Sequence, residues 1–291
     1  MHQEQIAERS DFMRTISAAA ITEVVAALCI KANTQLPPDI VAALDEARQT
    51  EPWPLAKQTL SLLWDNMELA EARNLPVCQD TGMACVFVEL GQEVYVDGNF
   101  EEAIHAGVRK GYGAGYLRKS IVADPLRRVN TDDNTPAAIT LRLVPGDGCT
   151  ITVAPKGFGS ENMSRLGMLK PADGAEGVKK FVLETVKLAG SNPCPPIVLG
   201  VGIGGSFDKV AYLAKHALLR PIDVPSPDPY YADMERELLS EINKLGVGPQ
   251  GFGGRTTCLG ISIETMPTHV ASLPVAVNVS CHVTRRATAK L

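Results

Sequence analysis

No stretch of this 291-residue chain is apolar for the roughly 20 residues that a membrane-spanning helix needs. Basic residues are not in excess either: 28 Lys and Arg stand against 33 Asp and Glu, a formal net charge of −5, which argues against a nucleic-acid footprint. The start, Met1-His2-Gln3-Glu4-Gln5, has neither the basic opening nor the apolar run of a secretory signal, so the protein is expected in the cytoplasm. Internal repeats and low-complexity segments are missing. So is any regular cysteine spacing. Seven irregularly placed cysteines in a reducing compartment do not read as a disulfide framework, which leaves ligand, catalytic or core roles.

What is present is a globular composition, 45% hydrophobic and 21% charged. The length allows one large domain or two smaller ones with a substantial core, so stability demands no metal or disulfide. Helical periodicity marks Ala18 to Lys31, a second helix from Pro37-Pro38-Asp39 and a third from Trp53-Pro54 through Ala72. Strands are predicted at Ala84 to Leu90, Ala137 to Val144 and Cys149 to Ala154, with Phe100 to Gly111 helical between the first two. Then follow a helix over Gly174 to Ala189, a strand over Pro196 to Val201, a helix over Phe207 to Leu218, a proline-rich surface connection and a helix over Tyr231 to Leu245. The fold class is α/β, in the mixed α+β sense: a helical N-terminal layer followed by mixed β-sheets flanked by helices.

The cysteines fall into two groups. Cys29, Cys85, Cys149 and Cys258 lie in apolar runs, where cysteine behaves as a small buried hydrophobe. Cys78, Cys194 and Cys281 stand in polar turns, in Pro76-Val77-Cys78-Gln79-Asp80-Thr81-Gly82, Asn192-Pro193-Cys194-Pro195-Pro196 and Asn278-Val279-Ser280-Cys281-His282. Backbone N–H groups in such turns lower a thiol's pKa, and three thiolates can hold an iron–sulfur cluster by three irons, leaving the fourth open. Unrelated loop cysteines have the same spacing.

Other segments are equally two-sided. Asp80 and Thr81 suit an acid–base role beside a metal ligand, or an Asx turn that satisfies the backbone. Arg118 follows the run Gly111 to Gly115, and its planar fork suits a carboxylate, although most arginines are simply solvated. Lys156-Gly157-Phe158-Gly159-Ser160-Glu161-Asn162 turns backbone N–H groups toward an anion or only ends a strand. Gly202-Ile203-Gly204-Gly205-Ser206 invites a nucleotide-binding reading, but the spacing is G-x-G-x-G-G rather than G-x-G-x-x-G. His269 lies on a loop twelve residues before Cys281, and His282, Arg285 and Arg286 bring positive charge just after it.

Together, the segments Asn74 to Gly82, Lys156 to Asn162, Asn192 to Pro196, Gly200 to Gly205 and Cys281 to Arg286 resemble the class I iron–sulfur fumarate hydratase and L-tartrate dehydratase family, in particular the α subunit of its two-subunit forms. The resemblance runs from about Ile21 to Arg286. It implies that Cys78, Cys194 and Cys281 hold a 4Fe–4S cluster and the other four cysteines do not. It further implies that Gln79, Asp80, Arg118, Gly157 or Gly159, and His269 face a bound dicarboxylate. The implied reaction is the reversible loss of water from a 2-hydroxy dicarboxylate, foremost malate to fumarate, with the open iron as Lewis acid. Asp80 is the candidate for proton transfer at the departing hydroxyl. No residue offers itself as the base for the neighbouring carbon, which agrees with a separate β subunit and an expected α2β2 assembly.

On this basis the chain is expected to be one catalytic domain over 1–291, with a helical part to about residue 74 and a cluster- and substrate-binding α/β part beyond it. Gly115 to Ser120, Asn130 to Pro136 and the Lys156 loop look more like the fumarate branch than the tartrate branch. L-Tartrate and mesaconate remain alternative substrates. Alternatives of another class are a non-catalytic iron–sulfur redox-sensing or nucleotide-binding module, and a nicotinamide-dependent oxidoreductase that uses the Gly202 to Ser206 loop. No nucleic-acid or membrane partner is expected.

Overall fold

A computed structural model describes residues 13–291; the segment Met1 to Gln5, read above for targeting, lies outside the described residues. Strand β1 (Arg14–Ser17) runs into helix α1 (Ala18–Thr34), whose first turn is capped by the Ser17 hydroxyl accepting from the Ala20 N–H at 3.2 Å. Helices α2 (Pro38–Thr50) and α3 (Pro54–Arg73) each open on proline, where a missing N–H costs nothing. Next come β2 (Met83–Gly91), β3 (Val94–Asp97), α4 (Phe100–Ala114), β4 (Ala138–Val144), β5 (Cys149–Lys156), the single turn α5 (Phe158–Glu161) and β6 (Arg165–Leu169). The remainder is α6 (Gly174–Ala189), β7 (Ile197–Gly204), α7 (Phe207–Ala217), α8 (Pro229–Asn243), β8 (Cys258–Met266), β9 (Leu273–Ser280) and β10 (Ala287–Lys290). Among the described residues no helix is long and apolar enough to cross a membrane.

The chain divides into two compact units. Of the described residues, the first comprises 13–35, 70–156 and 285–291; the second comprises 36–69 and 157–284. In the first, a four-stranded sheet is ordered β10-β5-β2-β4, with β2 antiparallel to β5 and parallel to β4. Val86, Val88, Ile151 and Val153 on its inner face bury against Val25 and Cys29 of α1 and Ile104 and Val108 of α4. Strands β1 and β3 pair in parallel beside it.

In the second unit the sheet order is β6-β9-β7-β8, and every residue of β7 is buried. Alternation sorts the β7 side chains by face. Ile197, Leu199, Val201 and Ile203 pack with Val178 and Val182 of α6 and Leu238 and Ile242 of α8. Val198 points the other way, toward Ile40, Leu44 and Leu60 of α2 and α3.

The glycines of the Gly200 to Gly205 run belong mostly to this strand, not to a loop after it: β7 extends to Gly204 where the sequence predicted an end at Val201. A Cβ on Gly200 would stand 2.0 Å from the Ala214 carbonyl oxygen, and one on Gly202 would stand 2.3 Å from that of Val210. Those glycines admit the backbone of α7 onto the sheet, a packing reason for a pattern that superficially resembles a nucleotide loop. Gly202→Ala should therefore destabilise the chain by about 1–3 kcal/mol, read as a lower midpoint of thermal unfolding; an unchanged midpoint would contradict this packing.

Candidate functional site

In the first unit, the segment Cys78 to Gly82 leaves α3 and enters β2 as a turn built largely from its own polar atoms. The Asp80 N–H donates to Cys78 Sγ at 3.4 Å, and the Gly82 N–H donates to Asp80 Oδ1 at 3.0 Å. The Asx turn foreseen from the sequence is thus real, and it orients the carboxylate rather than competing with a role for it. Gly82 has φ +73°, and a Cβ there would lie 2.6 Å from the backbone of Lys156, so the turn needs glycine on both counts.

Buried side chains hold this turn from behind. Thr81 Oγ1 accepts from the Arg118 N–H at 2.9 Å and donates to the Arg118 carbonyl at 3.2 Å. The Tyr112 hydroxyl lies 2.9 Å from the Thr81 carbonyl oxygen and 3.0 Å from that of Gly82. Asn134 Nδ2 donates to the Gly82 carbonyl, while its Oδ1 accepts from the Ser120 N–H. The result brings Cys78 and Asp80, both half-buried, together with exposed Gln79 and the exposed side chain of Arg118 on one hydrogen-bonded platform. Burial pushes the Tyr112 phenol far above its ordinary range, so it stays a neutral donor.

Arg285 completes the platform. It is buried, and its Nη2 donates to the Asp80 carbonyl, whereas Nε and Nη1 are buried and meet no hydrogen-bond acceptor among the described residues. The sequence placed its charge beside Cys281; the structure puts it against the turn that carries Cys78 and Asp80.

In the second unit, Cys194 is exposed with φ +54°, a left-handed conformation that a non-glycine residue adopts only when its surroundings impose it. The Cys194 carbonyl lies 3.0 Å from His282 Nδ1, which places the residue after Cys281 against the Cys194 turn. Gln250 braces both, donating to the Pro195 carbonyl from its backbone N–H at 2.7 Å and from Nε2 at 2.8 Å, with Nε2 3.3 Å from His282 Nδ1.

Gly157, half-buried, is the N-cap of α5, and Gly159 is exposed within it. Glu161 at the end of α5 accepts from Asn278 Nδ2 at 2.8 Å and pairs with Lys215, tying that loop to β9 three residues before Cys281. His269 is exposed on the β8–β9 connection, and its Nδ1 accepts from the Ala271 N–H at 3.2 Å. That bond requires the proton on Nε2 and presents Nε2–H as a donor.

A 4Fe–4S cluster asks for thiolates, so solvation of the cysteines tests whether these residues suit one. Burial pushes the Cys29 and Cys258 thiols up to about 12. The Cys149 thiol is also raised, by burial against the opposing charge of Arg14. These remain protonated at neutral pH, and Cys85 is buried in β2. Cys78, Cys194 and Cys281 are the cysteines with solvent access, and Arg285, bonded to the carbonyl of Asp80 two residues from Cys78, has two buried nitrogens that meet no acceptor among the described residues. Among the described residues no group of three or more His, Cys, Asp or Glu could hold a single metal ion. A cluster asks less, since each thiolate binds a different iron.

The described residues form a mixed α/β chain whose solvent-accessible cysteines, Asp80 and Arg118 stand on hydrogen-bonded turns and loops. The chain matches the family model Fumarate hydratase (Fumerase) over residues 22–290, and it belongs to that family of hydro-lyases. It is 43% identical over 274 residues to a Methanocaldococcus jannaschii protein named "Putative L(+)-tartrate dehydratase subunit alpha", covering 92% of this chain and 96% of that one. It is 34% identical over 275 residues to an Escherichia coli L(+)-tartrate dehydratase subunit alpha, covering 93% and 90% respectively. A Shigella sonnei protein of that name is 34% identical over 272 residues.

Thr81→Val strands the Arg118 backbone groups and should cost about 1–3 kcal/mol of stability, whereas Arg118→Ala on the exposed side chain should change it by under about 0.5 kcal/mol. Chemical denaturation of both variants checks this. Equal losses would contradict it.

Proposed function

We propose that this chain is the α subunit of a 4Fe–4S-dependent hydro-lyase that reversibly removes water from a four-carbon 2-hydroxy dicarboxylate, foremost malate to give fumarate. The observation that carries the reading is the double hydrogen bond of Thr81 to the Arg118 backbone, which ties the segment that bears the Arg118 side chain to the turn of Gln79 and Asp80. Cys78, Cys194 and Cys281 are the proposed ligands. When bound, the cluster supplies a Lewis-acidic iron for the hydroxyl that leaves.

The chain's own residues do the rest. Arg118 pairs with one substrate carboxylate through two parallel N–H donors. His269 Nε2–H and the N–H groups of the Gly157 to Gly159 turn supply further donors, and Gln79 adds an amide. Asp80, oriented by the Gly82 N–H, passes a proton to the hydroxyl as the carbon–oxygen bond breaks. The proton lost from the neighbouring carbon needs a base on the opposite side of the substrate, and we assign that base to a separate β subunit in an α2β2 assembly.

Two facts support a covering partner. The relatives are named as subunits alpha. In addition, Tyr116, Leu126 and Val270, 93%, 91% and 88% exposed, lie on the loops that carry Arg118 and His269. Apolar side chains bared beside substrate residues are what an interface would bury.

L-Tartrate is the second reading, favoured by the names of those relatives. It differs from malate by one hydroxyl, and pockets reject an added hydroxyl weakly, by about 100-fold at most where no group is built against it. Anaerobic reconstitution with iron and sulfide, followed by parallel assays of fumarate, L-tartrate and mesaconate with and without the β partner, tests the whole reading. The expected result is a bound cluster in the chain alone and turnover only with the partner. Cys194→Ser should abolish the 4Fe–4S spectrum while Cys85→Ser retains it. Full turnover by the isolated chain, or equal loss in both variants, would refute the proposal.

A further inference from the structure

Arg285 is a buried cation that the functions assigned above do not use. No carboxylate pairs with it among the described residues, its Nη2 is spent on the Asp80 carbonyl, and its Nε and Nη1 are buried without an acceptor. Leaving donors of a charged group unmet is among the more destabilising things an interior can hold. Such a group persists where an anion completes it. The Asp80 carbonyl that Arg285 holds lies two residues from Cys78, and Asp80 itself donates its N–H to Cys78 Sγ. The neutral Tyr112 and Thr81 that back the same turn offer no negative charge.

We infer that Arg285 is the built-in counter-charge for the anionic group on the Cys78 turn: its two unused donor nitrogens, Nε and Nη1, would serve that group when it is bound, while Nη2 locks the turn through the Asp80 carbonyl. This rests on the cluster reading above. A cluster held by three thiolates is net negative, and reduction makes it more so; a desolvated guanidinium therefore raises its reduction potential and slows its loss. Arg285 is a positioning and electrostatic residue, not one that touches the substrate.

The test compares the reconstituted parent chain with Arg285→Gln, which keeps an amide donor for the Asp80 carbonyl but removes the charge, and Arg285→Lys, which keeps the charge but not the fork. In Arg285→Gln the cluster's reduction potential should move to a more negative value, and iron should be lost to a chelator about tenfold faster. Arg285→Lys should retain the parent's potential. A Gln variant with the parent's potential and iron-loss rate overturns the inference, as does a Lys variant that matches the Gln one. Should either variant fail to fold, the Arg285 Nε–H of the parent decides by nitrogen-15 NMR: its exchange with solvent should slow on cluster loading, and an unchanged rate overturns the proposal. A parent chain that takes up no cluster instead refutes the cluster reading itself, which keeps the two failures apart.

Discussion

One buried hydroxyl constrains everything the first unit brings to the site. Thr81 both accepts from and donates to the backbone of Arg118, so the turn with Cys78, Gln79 and Asp80 and the loop with Arg118 cannot move independently. The energies are modest, about 1 kcal/mol for each net hydrogen bond. The consequence is geometric: the turn of Cys78, Gln79 and Asp80 and the backbone of Arg118 share one frame, with Tyr112 and Asn134 closing its back and Arg285 its flank. Fixed placement of polar groups is what catalysis asks of a scaffold.

Solvation then separates residues of the same type. Cys29 and Cys258 are pushed up to about 12 by burial and serve as small hydrophobes in the cores of the two units. The three cysteines in proline-rich or polar turns retain access to solvent. The same contrast governs glycine: Gly82 is needed for its positive φ at the site, whereas Gly200 and Gly202 are needed where α7 presses on β7.

Much of this was legible in the sequence. The helix over Gly174 to Ala189 and the proline-initiated α2 and α3 follow from periodicity and capping, and the division of the cysteines follows from their neighbours. The family was legible because its motifs are specific, not because any single spacing was. Strands β1, β3, β6, β8, β9 and β10 were not foreseen: β1, β3 and β10 are four residues long and β9 opens on Leu273-Pro274, so local alternation is a weak signal. The interleaving of the two units was hidden for a further reason, since it depends on pairings such as β5 with β10 between residues far apart in the chain. The proton on His269 Nε2 depends on a bond to the Ala271 backbone, and the burial of Arg285 against the Asp80 carbonyl depends on tertiary contact. Periodicity reports neither.

In the proposed function three solvent-accessible cysteines, and no fourth, hold an iron–sulfur cluster on turns that also carry the proposed substrate groups. Anomalous diffraction at the iron absorption edge from crystals of the anaerobically reconstituted chain tests it most directly. Iron should be found bonded to the sulfurs of Cys78, Cys194 and Cys281, with one iron free of any cysteine. Iron at Cys29, Cys85, Cys149 or Cys258, or a cluster closed by four cysteines, would contradict it.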